Sequence, residues 1–186
     1  MQGEPLTVGD LASGYGVSAT PVREALSRLA GHGLVEDRRG RGYYAHRIDG
    51  IDLADLYRGQ EVLAQIALRS GVGSMREPAA VRTDYLTDPV QAWETLFEAV
   101  LRSANSDFLM SAQQRLADRL APARRIEPEI LGETAREFEP LIAAQAVAGW
   151  AGLEHALAPF FCRRRTAVEA LVGRMRLNAL KYKVSI

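Results

Sequence analysis

Residues Val17–Leu34 read VSATPVREALSRLAGHGL. Ser18 and Thr20 are both good helix caps. Pro21 is tolerated in a first turn, where an N–H has no intrahelical partner. Val22, Leu26 and Leu29 recur at helical spacing and form the expected buried face. The glycines of Ala30–Gly33 stop the helix. Such a start leaves hydroxyls, free N–H groups and an arginine, Arg23, at one end, and these groups suit phosphate oxygens.

The segments on either side give this helix a setting. Upstream, LTVGDLASGYG reads as a shorter helix with Leu6, Leu11 and Tyr15 on a loose stripe. Thr7 is its expected cap, Asp10 completes an imperfect capping box, and Gly14 and Gly16 close it. Downstream, LVEDRRGRGYYAHRI reads as two short strands about a Gly-rich, Arg-rich turn. Helix, turn, second helix with a polar start, then a two-stranded wing is the order of a winged helix-turn-helix. In that fold the second helix enters the major groove by its N-terminal residues. The expected DNA contacts are Ser18, Thr20 and Arg23 on the helix, and Arg38, Arg39, Arg41 and Gly42 on the wing. Arg23 offers a bidentate fork to guanine or phosphate. Glycines in the wing permit close approach to a groove, and arginine favours the negative minor groove. A capped helix start and a solvated Arg-rich hairpin are each ordinary features. It is their order and spacing that favour DNA.

From Asp49 onward the pattern is helical. LADLYRGQEVLAQIALRS stripes Leu53, Leu56, Tyr57, Gln60, Leu63, Ala64, Ala67 and Leu68. A polar loop through GSMREP and RTDYLTDP follows. Then VQAWETLFEAVLRSAN stripes Val90, Trp93, Phe97, Val100 and Leu101, and FLMSAQQRLADRLA stripes Leu109, Gln113, Leu116 and Leu120. FEPLIAAQAVAGW, AGLEHALAPFF and RRRTAVEALVGRMRLNALKYK complete the chain. The fold class is mainly α: a winged head over residues 1–48 and an all-helical bundle over 49–186.

The 186 residues carry 23 basic and 23 acidic side chains, unevenly placed. Met1–Gly50 is neutral, Ile51–Phe160 carries −6 and Phe161–Ile186 carries +6. A uniformly basic nucleic-acid coat is excluded, so local patches must carry any phosphate binding. No apolar run is long enough to span a membrane, and the first ten residues lack the basic start and apolar stretch of a secretory signal. The single cysteine, Cys162, has no internal partner, which fits a cytoplasmic protein. No Ser/His/Asp set, Cys/His pair or phosphate-binding loop before a strand is present, so no catalytic residues are assigned.

The stretch PLTVGDLASGYGVSATPVREALSRLAGHGLVEDRRGRGYYAHRI closely resembles the DNA-binding domain of the GntR family of bacterial transcription regulators. The helical remainder is more loosely similar to the FCD effector domain of the FadR-like branch, through LYRGQEVLAQIAL and WETLFEAVLRSANSDFL. The resemblance implies a homodimeric repressor or activator on double-stranded operator DNA, with a bundle that senses a small-molecule effector.

Departures from the family pattern shape the expectations. An arginine usual between Ser and Thr is Ala19 here, and one early in the preceding helix is Gly9. Only MQGE stands where the family has a further helix. Either the family's first helix is missing, or something else covers Leu11, Leu26 and Leu29. A ligand-binding or interaction protein that has lost independent DNA binding is the alternative these departures favour. In the bundle, the Asp and first His of the family's metal set fall at Glu94 and Glu98, the next His at Glu139 and the last at Phe160. The arginine that meets carboxylate effectors falls at Gln60. No metal site and no cofactor are therefore expected. Gln60 and Gln113 interrupt apolar stripes, so each must bond within the bundle or face a cavity. Glu94 and Glu98 read either as solvated surface glutamates or as the wall of that cavity. Gln60, Glu94, Glu98, Gln113 and Glu139 are the expected effector lining. It is expected to be negative to neutral and without a cation, and so to favour a neutral, apolar or cationic ligand or to be filled by side chains.

Overall fold

A computed structural model describes residues 3–71 and 85–184, with side chains described for 3–70 and 85–179. The polar loop expected around GSMREP and the start of RTDYLTDP lies outside these residues. The chain divides into two compact units, Met1–Asp49 with Met175–Ile186, and Gly50–Arg174.

In the first unit, β1 (Pro5–Leu6) precedes α1 (Val8–Tyr15) and α2 (Ala19–Gly31). The hairpin β2 (Val35–Arg38) and β3 (Gly42–Ala45) follows. The antiparallel sheet has the order β1-β3-β2, with Leu6 opposite Tyr43 and Glu36 opposite Tyr44. β1 is an addition to the sequence reading. It is two residues long, too short to show alternation. Gly16, at φ 65°, closes α1 in the left-handed conformation, and Val17 N–H reaches back to Ala12 O at 3.0 Å. Gly33, at φ 74°, does the same after α2, with Leu34 N–H on Leu29 O at 3.0 Å.

Ala12, Val22, Leu26 and Val35 form the core of this unit, flanked by Leu6, Leu11 and Tyr43. Two expected core residues are corrected. Tyr15 is 78% exposed and Leu29 39% exposed. Tyr15 is the last residue of α1, beyond the small core, and Ala12 takes the inward place. Leu29 lies at the margin of a stripe centred on Leu26 and Ala30. Thr7 and Ser18 hold the cap positions, but neither side chain makes a capping hydrogen bond, so the expected capping box does not form.

The second unit is built on α3 (Gly50–Gly71), against which α4 (Pro89–Ser103), α5 (Asp107–Arg124) and α7 (Phe138–Thr166) all pack. Between α5 and α7 lie α6 (Glu127–Leu131) and a 3-10 turn (Thr134–Glu137), and α8 (Val168–Val184) begins in this unit and has its residues from Met175 onward in the first. Asp88 caps α4 by accepting from Gln91 N–H at 2.9 Å, and Ser106 caps α5 by accepting from Leu109 N–H. Asn105, at φ 48°, turns the chain between them. The two segments expected around GWAG prove to be halves of α7 joined at Gly149, whose φ of 57° and ψ of −139° interrupt the helix. Trp93, Phe97, Phe138, Phe160 and Phe161 fill the core, with the Trp93 and Phe160 rings 3.6 Å apart between centroids. Among the described residues, no helix is long and apolar enough to cross a membrane.

Candidate nucleic-acid interface and helical-unit cavity

At the start of α2, Ser18 has extended backbone and an uncommitted hydroxyl, and Thr20 and Arg23 are exposed. Arg23 has no ion-pair partner among the described residues. The first-turn N–H groups, the two hydroxyls and one free guanidinium thus share one end of the helix.

The wing places its arginines unequally. Arg38 pairs with Gly42 across the hairpin, leaving Arg39, Gly40 and Arg41 as the turn. Gly40 and Gly42 have φ of 73° and 85°, a region that disfavours side chains. Arg38 is already engaged. Its Nε and Nη2 donate to Glu36 Oε2 at 2.9 and 2.7 Å, and its guanidinium lies 4.2 Å from the Tyr44 ring centroid. The Arg38 hydrogen bond holds the Glu36 carboxyl below its ordinary range. Arg39 and Arg41 are exposed and have no partner among the described residues. Glu36 and Tyr44 escaped the sequence reading as supports of the wing. Strand periodicity carried the signal, since residues 36 and 38 share a face and 44 lies opposite 36.

In the helical unit, α4 and α5 line an open cavity of about 350 Å³. Glu94, Glu98 and Gln113 line it, as do Asp118, Arg124 and Arg125. Gln60 and Glu139 are not among its lining residues. Gln60 is fully buried and accepts from Arg124 Nη2 at 2.5 Å. Glu139 is exposed at the start of α7, where the turn of the helix carries it outward while Phe138 and Leu141 take the core positions. The lining is also not free of cations, because Arg124 is only 2% exposed and closes one wall.

Arg124 Nε lies 3.1 Å from Glu94 Oε1, and the guanidinium sits 5.5 Å from the Phe97 centroid. Burial raises the Glu94 carboxyl above its ordinary value, against the opposing pull of Arg124. Glu98 pairs with Arg102 one turn on, in an exposed contact. Gln114 donates to Asp118 at 2.9 Å. Oε1 of Gln113 has no hydrogen bond among the described residues, although the residue is only 5% exposed.

A second arginine occupies the deeper core. Arg164 is fully buried, its Nε donates to Glu127 Oε2 at 2.9 Å, and its Nη2 lies 3.0 Å from Glu137 Oε2. The same guanidinium covers the face of Phe160, with 3.2 Å between its carbon and the ring centroid. Tyr57 donates to Glu127 Oε1 at 2.7 Å, and burial followed by the Glu127 charge pushes its hydroxyl well above 10. Among the described residues, no three His, Cys, Asp or Glu side chains converge as a metal site. His155 is exposed on α7. Sequence reasoning missed Arg124, Arg164, Glu127 and Glu137. The one available signal was Gln60, a polar residue in an apolar stripe that called for a partner.

Residues 1–44 match the family model of bacterial regulatory proteins of the gntR family. The Nta operon transcriptional regulator of Aminobacter aminovorans is 30% identical over 138 residues, 67% of this chain and 65% of that protein. The chain thus spans slightly less than two thirds of that curated relative. Two solved structures share the fold. One is a transcriptional regulator GntR from Rhodococcus sp. RHA1, with TM-score 0.69, 16% identity and coverage of 90% and 87% of the two chains. The other is E. coli McbR/YncC, with TM-score 0.65, 22% identity and the same coverage. The head is thus a winged helix whose residues match the gntR family model, and a helical unit follows it.

Proposed function

We propose that this chain is a transcription regulator of the GntR family that binds operator DNA as a homodimer, each head placing α2 in a major groove and its wing beside it. The observation that carries this reading is the set of three exposed guanidiniums without a partner among the described residues, Arg23 at the start of α2 and Arg39 and Arg41 at the wing tip. These stand in a segment that matches the gntR family model. Ser18 and Thr20 supply phosphate contacts, and Gly42 allows the wing close approach. Two recognition helices about one turn of DNA apart require two copies. The helical unit, with its cavity at Glu94, Glu98 and Gln113, supplies the effector site of this reading, and Gln60 supports it from behind Arg124.

Fluorescence anisotropy with the DNA upstream of the chain's own coding region tests the proposal. Arg23→Ala is expected to cost about 1–3 kcal/mol and to relax preference at one operator position. Arg39→Ala or Arg41→Ala is expected to weaken all duplexes alike. If Arg23→Ala changes neither affinity nor preference, α2 is not the recognition helix.

Gly9 and Ala19 favour a second reading, an interaction protein without independent DNA binding. Gly9 is exposed in the first turn of α1 with open space around it, so an arginine would fit there but is absent. Absence of any duplex binding by the intact dimer would support this alternative.

A further inference from the structure

We propose that the cavity between α4 and α5 is a binding site for a small protonated amine, bound against Glu94 and Asp118 and hydrogen-bonded to the amide of Gln113. The proposal rests on the reading of the helical unit as an effector domain and names the class of effector.

Three observations lead to it. The first is the unsatisfied amide. Gln113 lines the cavity and is 5% exposed, and its Oε1 makes no hydrogen bond among the described residues. A buried amide without partners is costly, and an N–H donor entering the cavity removes that cost. The second is charge. Glu94, Glu98 and Asp118 face the cavity against Arg124 and Arg125. Arg124 is committed to Glu94 and Gln60. Glu98 is held by Arg102, but among the described residues Asp118 has only the neutral Gln114 amide. The lining itself thus carries three carboxylates against two guanidiniums, an excess of one negative charge. The third is size and texture. About 350 Å³ lies at the small end of ligand cavities, and Val90, Met110 and Ala117 give it an apolar side. A compact amine with an apolar body fits this combination. A carboxylate would face Glu94, Glu98 and Asp118, with Arg124 already paired and only the exposed Arg125 left to meet it.

The test uses the full chain and three probes of one shape: benzylamine, benzyl alcohol and benzoate. Calorimetric titration and thermal shift are expected to show saturable binding and stabilisation by benzylamine, weaker binding of the alcohol and none of benzoate. Gln113→Leu and Glu94→Gln are each expected to lower benzylamine affinity tenfold or more. Leucine suits the apolar stripe of α5, and an unchanged circular dichroism spectrum would show that the fold is kept. Glu139→Gln, an exposed change away from the cavity, should leave affinity unaltered. The proposal is overturned if benzoate binds as well as benzylamine, if benzylamine does not saturate, or if both cavity variants bind it undiminished. Duplex binding measured on the same preparation separates the two readings. Amine binding without DNA binding would sink the regulatory function and leave the site. DNA binding without amine binding would do the reverse.

Discussion

Arg124 and Glu94 form a half-buried pair whose members are not equally important. Glu94 is 29% exposed, and burial raises its carboxyl above the ordinary value of 4.5. Its ionised form is thus costlier in the folded chain than in the unfolded one. The folded state binds the proton more readily, so this cost falls as pH drops through the raised value and is gone below 4.5. Glu94→Gln is expected to change stability by under about 1 kcal/mol at neutral pH, because the lost attraction to Arg124 is offset by the lost cost of burying a charge. That variant should also lose the part of the acid-side pH dependence that Glu94 contributes. Arg124→Met is expected to cost more, about 2–4 kcal/mol, since it strands the fully buried Gln60 oxygen as well as Glu94. Urea titrations at neutral and mildly acidic pH check both. Equal losses for the two variants would mean that Arg124 is not the keystone of this contact. At this scale the sequence was half legible. Gln60 and Gln113 stood out as amides in apolar stripes, and one proves bonded and the other faces the cavity. Arg124 did not stand out, because an arginine beside other arginines on a helix reads as solvated. Its partners stand 30 and 64 residues away in sequence.

Among the elements, α7 carries the sharpest constraint. Gly149 has φ 57° and ψ −139°, a combination open essentially to glycine alone. Gly149→Ala is expected to destabilise by about 1–3 kcal/mol, measured by chemical denaturation. A variant as stable as the parent would show that α7 runs straight through this point. The break was readable because glycine falls between two apolar stripes. The helix stops at Gly16 and Gly33 were readable for the same reason. β1 was not, since Pro5–Leu6 gains its identity only from pairing with Tyr43 and Tyr44. Tyr15 and Leu29 misled because periodicity reports spacing, whereas burial depends on how far the neighbouring core extends.

For the whole molecule, the expectation is a dimer. The first half of α7 leaves Val147 88% exposed and Ile142 38% exposed, and α3 leaves Val62 and Ile66 exposed. Apolar surface of this kind in a helical unit is typical of an interface between copies. Sedimentation at micromolar concentration should give a dimer, and Val147→Glu should shift it toward monomer. A monomer at that concentration in the parent chain would exclude the homodimer. The class of the molecule was readable in the order of its segments, but this surface was not, because exposed and buried apolar residues look alike in one dimension.

The clamp of Arg38 by Glu36 and Tyr44 can be restated as a count of ions. A guanidinium that already has its carboxylate brings no counterion deficit to DNA and displaces no condensed cation from it. On DNA the wing is therefore expected to release two cations per head rather than three. The slope of log affinity against log salt should include about 1.8 units from each wing, not about 2.7. Arg38→Ala is expected to leave that slope nearly unchanged, while Arg39→Ala and Arg41→Ala each lower it by about 1 unit per head.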